Sequence, residues 1–87
     1  MTYEQKLDLV RKAILKNWDP IGVKDEPSAQ DEYDAYLPAI VGLIEKRAPV
    51  NELARYLTDI TTLEMGMVEA EARDRAVAER LLQLRLE

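Results

Sequence analysis

The sequence predicts an all-α protein, a compact domain of four roughly antiparallel helices. Four stretches carry apolar residues three or four positions apart, the spacing that places side chains on one face of a helix. Glycine and proline number only three and four, too few for the many turns of a sheet protein, and no stretch alternates long enough to predict a strand. At 87 residues the chain is expected to form a single domain, residues 1–87.

The first helix is predicted to begin after Thr2, which forms a Thr-x-x-Gln pattern with Gln5, the signature of a capping box. The helix should end near Asn17 or Trp18. Its inner face consists of apolar residues at spacings of four, three and four, namely Tyr3, Leu7, Val10 and Ile14.

The stretch on which we expect the packing to depend is Trp18-Asp19-Pro20-Ile21-Gly22-Val23. Asp, Pro and Gly at the first, second and fourth positions are typical of a type I turn, and the Asp19 carboxylate is expected to accept a hydrogen bond from a backbone N–H two residues on. An exposed tryptophan could anchor a partner, but Trp18 continues the apolar face of the first helix and is predicted to be buried. Structural roles are therefore assigned to Trp18, Asp19, Pro20 and Gly22, with the indole beneath the second and third helices.

The second helix is expected to start at about residue 29, where Ser28 followed by Asp31 resembles a cap. Pro38 leaves two alternatives, since beyond the first turn it removes a backbone hydrogen bond and clashes with the preceding turn. Either the helix is kinked at Pro38, which we favour, or 31–36 is a separate turn and the long helix starts at about 37. The inner face is formed by Tyr33, Leu37, Ile40 and Ile44.

The third helix is predicted to begin at Pro49, a residue suited to the first helical position, and to end at Gly66, a typical C-cap. Its face comprises Leu53, Leu57 and Ile60. The fourth helix, about 68–85, carries the oppositely charged pairs Glu69–Arg73, Glu71–Arg75 and Arg75–Glu79. Its apolar face comprises Ala70, Val77, Leu81 and Leu84. Because Leu86-Glu87 resembles a vector scar, those two residues are given no functional weight.

Composition excludes several classes of function. A net charge of −5, from 12 basic and 17 acidic residues, argues against nucleic acid or an anionic membrane as partner. We expect a cytoplasmic protein, because cysteine is absent and neither a secretory signal nor an apolar run long enough to span a membrane is found.

Catalysis and cofactor binding are not predicted. Histidine, the commonest general base, is absent, Ser28 is the sole serine, and the isolated glycines form no phosphate-binding loop. Only carboxylates remain as reactive groups. A carboxylate metal-dependent enzyme is therefore the least favoured alternative, since the acidic residues do not match a Ca²⁺ loop and lack nitrogen and sulfur ligands.

The favoured hypothesis is a non-enzymatic interaction module that binds a basic protein partner through its acidic segment. An aromatic residue stands beside a concentration of acids there. The candidate contact residues are Asp25, Glu26, Asp31, Glu32, Asp34 and Tyr36. The second hypothesis is a structural or regulatory homodimer formed through the fourth helix, in which Val77, Leu81 and Leu84 bury surface across a two-fold axis.

The Trp18–Val23 stretch and the block Asp31-Glu32-Tyr33-Asp34-Ala35-Tyr36, with a later Met65-Gly66, resemble a family of small uncharacterised bacterial proteins. Those share a Trp-Asp-Pro turn, a short acidic linker and an Asp-Glu-Tyr-x-x-Tyr block, and the resemblance covers about residues 7–67. It implies a compact helical protein with no catalytic residues to carry over. Immunity partners of bacterial toxins are also small and acidic, which is an analogy of charge only.

Overall fold

Four α-helices account for most of the chain in the computed structural model, which describes residues 1–86. They are α1 (Tyr3–Asn17), α2 (Leu37–Glu45), α3 (Val50–Asp59) and α4 (Glu71–Leu82). No strand occurs within these residues, so the all-α four-helix prediction is confirmed. α3 packs most extensively against α4, and α1 contacts both α2 and α4. No helix in this part of the chain combines the length and the apolar character needed to cross a membrane.

α1 begins with the predicted capping box. Thr2 Oγ1 accepts a hydrogen bond from the Gln5 backbone N–H (3.1 Å), and Gln5 Oε1 accepts one from the Thr2 N–H (2.8 Å). Val10 and Ile14 are fully buried, but the Tyr3 side chain is 53% exposed, so its assignment to the inner face was wrong. Residues 1–5 are exposed throughout.

The segment before α2 contains two short 3₁₀ turns, Pro27–Ala29 and Asp34–Tyr36. The interruption that we attributed to Pro38 therefore falls just before it, and the regular α-helix begins at Leu37, as in the second alternative considered for this stretch. Pro38 lies in the first turn of α2. At that position the missing N–H would have had no partner within the helix, so proline is tolerated there.

α3 does not end with a regular α-helical turn. It continues into a π-helical turn, Ile60–Glu64, in which the Met65 N–H donates to the Ile60 carbonyl oxygen at 3.1 Å. Gly66 then adopts a positive φ of 64°, as predicted for a helix cap, and lets the Met67 N–H donate to the Thr61 carbonyl oxygen at 2.8 Å.

α4 is shorter than predicted, because the chain from Gly66 to Ala70 is not helical. Of the three charge pairs expected along it, the structure forms Arg75–Glu79 (3.6 Å), whereas Arg73 pairs with Asp74. The carboxyl-terminal end also differs from expectation. Leu86, set aside as a vector residue, is only 6% exposed and belongs to the core.

Candidate interaction site

The turn that follows α1 is held by the Asp19 carboxylate. Asp19 Oδ1 accepts hydrogen bonds from the Val23 N–H (2.8 Å) and the Tyr33 hydroxyl (2.9 Å), and Oδ2 accepts one from the Lys24 N–H (2.9 Å). The donors lie four and five residues on, not two as predicted. The Ile21 N–H donates instead to the Tyr33 hydroxyl oxygen at 3.1 Å. A tyrosine from the acidic block therefore closes the turn, and it fixes the acidic segment relative to α1.

Both groups in this contact have shifted pKa values. Burial disfavours the charged form of Asp19, but hydrogen bonds from the Val23 and Lys24 N–H groups and from Tyr33 together hold the pKa of Asp19 below its ordinary 3.8. Burial, with the neighbouring Asp19 charge, raises the pKa of the Tyr33 hydroxyl far above its ordinary value. Because the Asp19 pKa is depressed on folding, its contribution to stability is present above pH 3.8 and is lost as the pH falls through the folded-state pKa.

Tyr33→Phe is therefore expected to lower the free energy of unfolding by about 1–2 kcal/mol at pH 7, because a buried hydroxyl that both donates and accepts is removed. The difference from wild type should shrink at a pH below the folded-state pKa of Asp19, where Asp19 is protonated in both proteins. Urea unfolding followed by circular dichroism at the two pH values measures both effects. Tyr3→Phe, at a half-exposed position, is the matched control and should change stability by less than about 0.5 kcal/mol. An equal loss for Tyr33→Phe at both pH values would contradict the assigned role.

The loop beyond the turn is held by one amide side chain. Gln30 Nε2 lies within hydrogen-bond distance of the carbonyl oxygens of Val23 (3.1 Å), Lys24 (2.9 Å) and Glu26 (3.0 Å). An amide nitrogen has only two hydrogens, so the three carbonyls share them. No local pattern marked Gln30, because the carbonyls that it binds converge only in the folded chain.

Four of the predicted contact residues lie on this loop and its continuation, and we call them the acidic loop: Asp25, Glu26, Asp31 and Glu32. All four are exposed. None of them forms an ion pair with any residue of the described chain, whereas carboxylates such as Glu45 and Glu52 are paired with lysines. The acidic loop therefore presents four carboxylates without a direct ion pair, although Asp25 lines a surface depression together with Lys12, Lys16 and Lys24.

The remaining two predicted contact residues, Asp34 and Tyr36, contact other parts of the protein. Asp34 accepts two hydrogen bonds from Arg11, from Nε at 2.8 Å and from Nη2 at 3.0 Å, so its carboxylate joins the acidic block to α1. Tyr36 is half-buried and packs against the core. Burial raises the pKa of Tyr56, and the Tyr36 hydroxyl and the Glu64 carboxylate raise it further. Tyr36 is thus a neighbour of α3, at the edge of the acidic segment.

A second hydrogen-bond network lies in the interior around Asp74, which is fully buried. Its Oδ1 accepts hydrogen bonds from Trp18 Nε1 (2.8 Å) and Arg73 Nε (3.1 Å), and its Oδ2 accepts one from the Thr58 hydroxyl (2.8 Å). Arg73 Nη2 is buried without a partner in residues 1–86. The carboxylate therefore joins the end of α1 to α3 and α4.

Trp18 is buried, as predicted, with 4% of its surface exposed, and its ring lies 5.5 Å from that of Tyr33 at an angle of 49°. The expectation that it lies beneath the second and third helices did not include α4, whose Asp74 accepts the hydrogen bond from its indole N–H. Asp74 itself was missed. Asp74 lies four residues after Ala70 and three before Val77, on the apolar face of α4. A carboxylate on that face could have indicated a buried hydrogen-bond acceptor.

The buried carboxylates are thus occupied by internal donors. Within residues 1–86, no group of three or more acidic side chains is arranged to hold a metal ion. A groove of about 850 Å³ runs between α3 and the start of α4, lined mainly by polar and charged side chains such as Asn51, Arg55, Thr62, Glu69 and Arg75. No protein-family model, curated protein or solved structure matches the chain. Function is therefore argued from the geometry alone.

Proposed function

We propose that the protein is a non-enzymatic interaction module that binds a basic protein partner through the acidic loop. The observation that carries this proposal is the set of four exposed carboxylates that form no ion pair within the described chain, on a segment fixed by Asp19 and Gln30. A cytoplasmic location, expected from the absence of cysteine, is part of the same proposal.

Fixing the loop before binding favours association. A flexible loop loses conformational freedom when it meets a partner, and that loss reduces affinity. Here the hydrogen bonds of Gln30 and Asp19 have already restricted the backbone. The exposed negative charge also accelerates encounter with a basic surface, an effect that salt screens. Asp34 acts in this proposal as the anchor of the segment, and Tyr36 as a flanking contact.

The two alternatives from the sequence have less support. For the symmetric dimer, Val77 and Leu81 are 3% and 1% exposed inside the monomer, and Leu84 packs partly against the same core. Their apolar surface is already covered by the chain itself. For a carboxylate enzyme, the buried Asp74 is occupied by Trp18 and Thr58, so it is not offered to a substrate.

Reversing charges of the acidic loop is expected to weaken partner binding. We expect Asp31→Lys/Glu32→Lys to weaken binding at least about tenfold, because like charges then face the basic partner. The measurement is a pull-down with the immobilised protein at several salt concentrations, followed by titration calorimetry with the partner so identified.

The matched control is Glu4→Lys/Glu79→Lys, which makes the same change in net charge at exposed positions outside the acidic loop. It should leave the affinity within about twofold, since exposed charges far from a contact are screened. Equal weakening by both double variants would show that net charge alone, and not the acidic loop, determines binding.

A further inference from the structure

The connection between α3 and α4 exposes apolar side chains. Leu63 and Val68 are 77% and 90% exposed, the largest values among the bulky apolar residues, and Met65 and Met67 beside them are half-buried. We call these four residues the α3–α4 corner. Single exposed apolar side chains are ordinary on a protein surface. Leu63 and Val68, flanked in one short connection by the half-buried Met65 and Met67, mark a candidate interaction surface. Methionine is well suited to such a surface because its side chain is flexible and polarisable.

The backbone holds the α3–α4 corner in place. The π-helical turn Ile60–Glu64 carries Leu63, and π-helical turns occur frequently at functional sites. Gly66, with its positive φ, and the hydrogen bond from the Met67 N–H to the Thr61 carbonyl then fix the direction of the chain. Thr61 is fully buried, so the exposed residues are attached to the core at this point.

The border of the α3–α4 corner is negatively charged. Glu64, Glu69 and Glu71 are exposed, and none of them forms an ion pair with the described part of the chain. The arginines predicted to pair with Glu69 and Glu71 point elsewhere, because Arg73 binds Asp74 and Arg75 binds Glu79 and Asn51. Glu69 and Glu71 therefore form no ion pair, although they line the same groove as Arg55 and Arg75.

We propose that the α3–α4 corner is a docking surface for a basic amphipathic helix of a partner protein. The apolar face of such a helix would cover Leu63, Met65 and Val68, while its lysines and arginines would meet Glu64, Glu69 and Glu71. This is the helix-in-groove mode of recognition. The groove between α3 and α4, whose lining includes Thr62, Glu69 and Glu71, provides the space beside the exposed residues.

The charges favour this occupant over others. A second copy placed symmetrically on the α3–α4 corner would bring two acidic borders into one interface, an arrangement that like-charge repulsion disfavours. The same charges would repel an anionic membrane. Of these three occupants, only a basic amphipathic helix offers an apolar face to Leu63 and Val68 and positive charge to the surrounding carboxylates. The proposal does not depend on the acidic loop, which lies on a different segment of the chain.

The test uses two fluorescein-labelled peptides of about 18 residues, one an amphipathic Leu/Lys helix and the other the same pattern with glutamate in place of lysine. We expect saturable binding of the Leu/Lys peptide to the whole protein by fluorescence anisotropy, and none of the Leu/Glu peptide. Leu63→Ser/Val68→Ser should weaken the binding at least about tenfold. Glu64→Gln/Glu69→Gln/Glu71→Gln should weaken it and reduce its salt dependence.

Two control variants separate the α3–α4 corner from other surfaces. Tyr3→Ser/Ile21→Ser alters apolar residues that are also half-exposed, at 53% and 45%, and should leave the affinity unchanged. Neutralising the acidic loop by replacing its four carboxylates with amides should also leave it unchanged. All these positions are exposed, so circular dichroism should show wild-type helix content in every variant.

Several results would overturn the proposal. The first is the absence of saturable binding of the Leu/Lys peptide up to about 1 mM, and the second is equal binding of the Leu/Glu peptide. The third is an unchanged affinity in Leu63→Ser/Val68→Ser. The fourth is a dimer of the wild-type protein that this variant dissociates. Loss of peptide binding on neutralising the acidic loop alone would assign the contact to that loop. The failure of either proposal can therefore be distinguished from the failure of the other.

Discussion

Asp74→Ala is expected to lower the free energy of unfolding by about 3–5 kcal/mol, a large part of the total for a domain of this size. The substitution leaves the Trp18 indole N–H and the Thr58 hydroxyl without their acceptor in a buried environment. It also removes the counter-charge of Arg73, whose Nη2 already lacks a partner. Each buried donor left without an acceptor carries a desolvation penalty that water does not relieve.

Urea unfolding followed by circular dichroism measures this loss. Asp74→Asn is the informative intermediate, because its amide oxygen can still accept one hydrogen bond while the charge that faces Arg73 is removed. We expect it to lie between wild type and Asp74→Ala. Asp31→Ala, at an exposed position of the acidic loop, serves as the matched control and should change stability by less than about 0.5 kcal/mol. A loss below about 1 kcal/mol for Asp74→Ala would show that the buried contacts do not hold the helices together.

Trp18→Phe is expected to have the second largest effect, a loss of about 2–4 kcal/mol. Phenylalanine fills part of the space of the indole but cannot donate to Asp74 Oδ1, which Trp18 Nε1 approaches at 2.8 Å. The smaller ring also loses contact area with Tyr33, whose ring centre lies 5.5 Å from that of Trp18. Since the variant contains no tryptophan, its unfolding is followed by circular dichroism.

The double variant Trp18→Phe/Asp74→Ala tests the same contact directly. If the hydrogen bond is the source of much of both losses, the double variant should be more stable than the sum of the single losses predicts, by about 0.5–3 kcal/mol. Trp18→Phe combined with Asp31→Ala should be additive, because those residues share no contact. Additivity in both pairs would assign the effect of Trp18→Phe to packing alone.

The helices could be predicted because their signals are local. The Thr2–Gln5 capping box and the position of Gly66 after α3 depend on residues that are close in sequence, and both were confirmed. The burial of Trp18 followed from its place on the apolar face of α1. The starts of α2 at Leu37 and of α4 at Glu71 did not follow from local patterns, since short 3₁₀ turns and irregular chain have weaker local preferences than a long amphipathic helix.

Most of the candidate surfaces depended on contacts between distant segments. Sequence reasoning selected Asp34 as a partner contact, but Arg11 on α1 binds it. It overlooked Gln30, and it predicted that Glu69 and Glu71 are neutralised by arginines of the same helix. Those arginines are directed elsewhere by Asp74, Asn51 and Glu79. Local spacing defines which charges are able to meet, whereas packing determines which of them do.

By itself, the sequence determined the helical class, the apolar faces and the surplus of acidic residues, because these follow from the order of residue types along the chain. The tertiary structure alone decided which carboxylates are occupied and which face the solvent. Asp19, Asp34 and Asp74 find their donors in other parts of the fold, and Asp25, Glu26, Asp31 and Glu32 do not. The physical reason is that a hydrogen bond or an ion pair requires atoms to lie within about 3–4 Å, and folding brings distant segments to that separation.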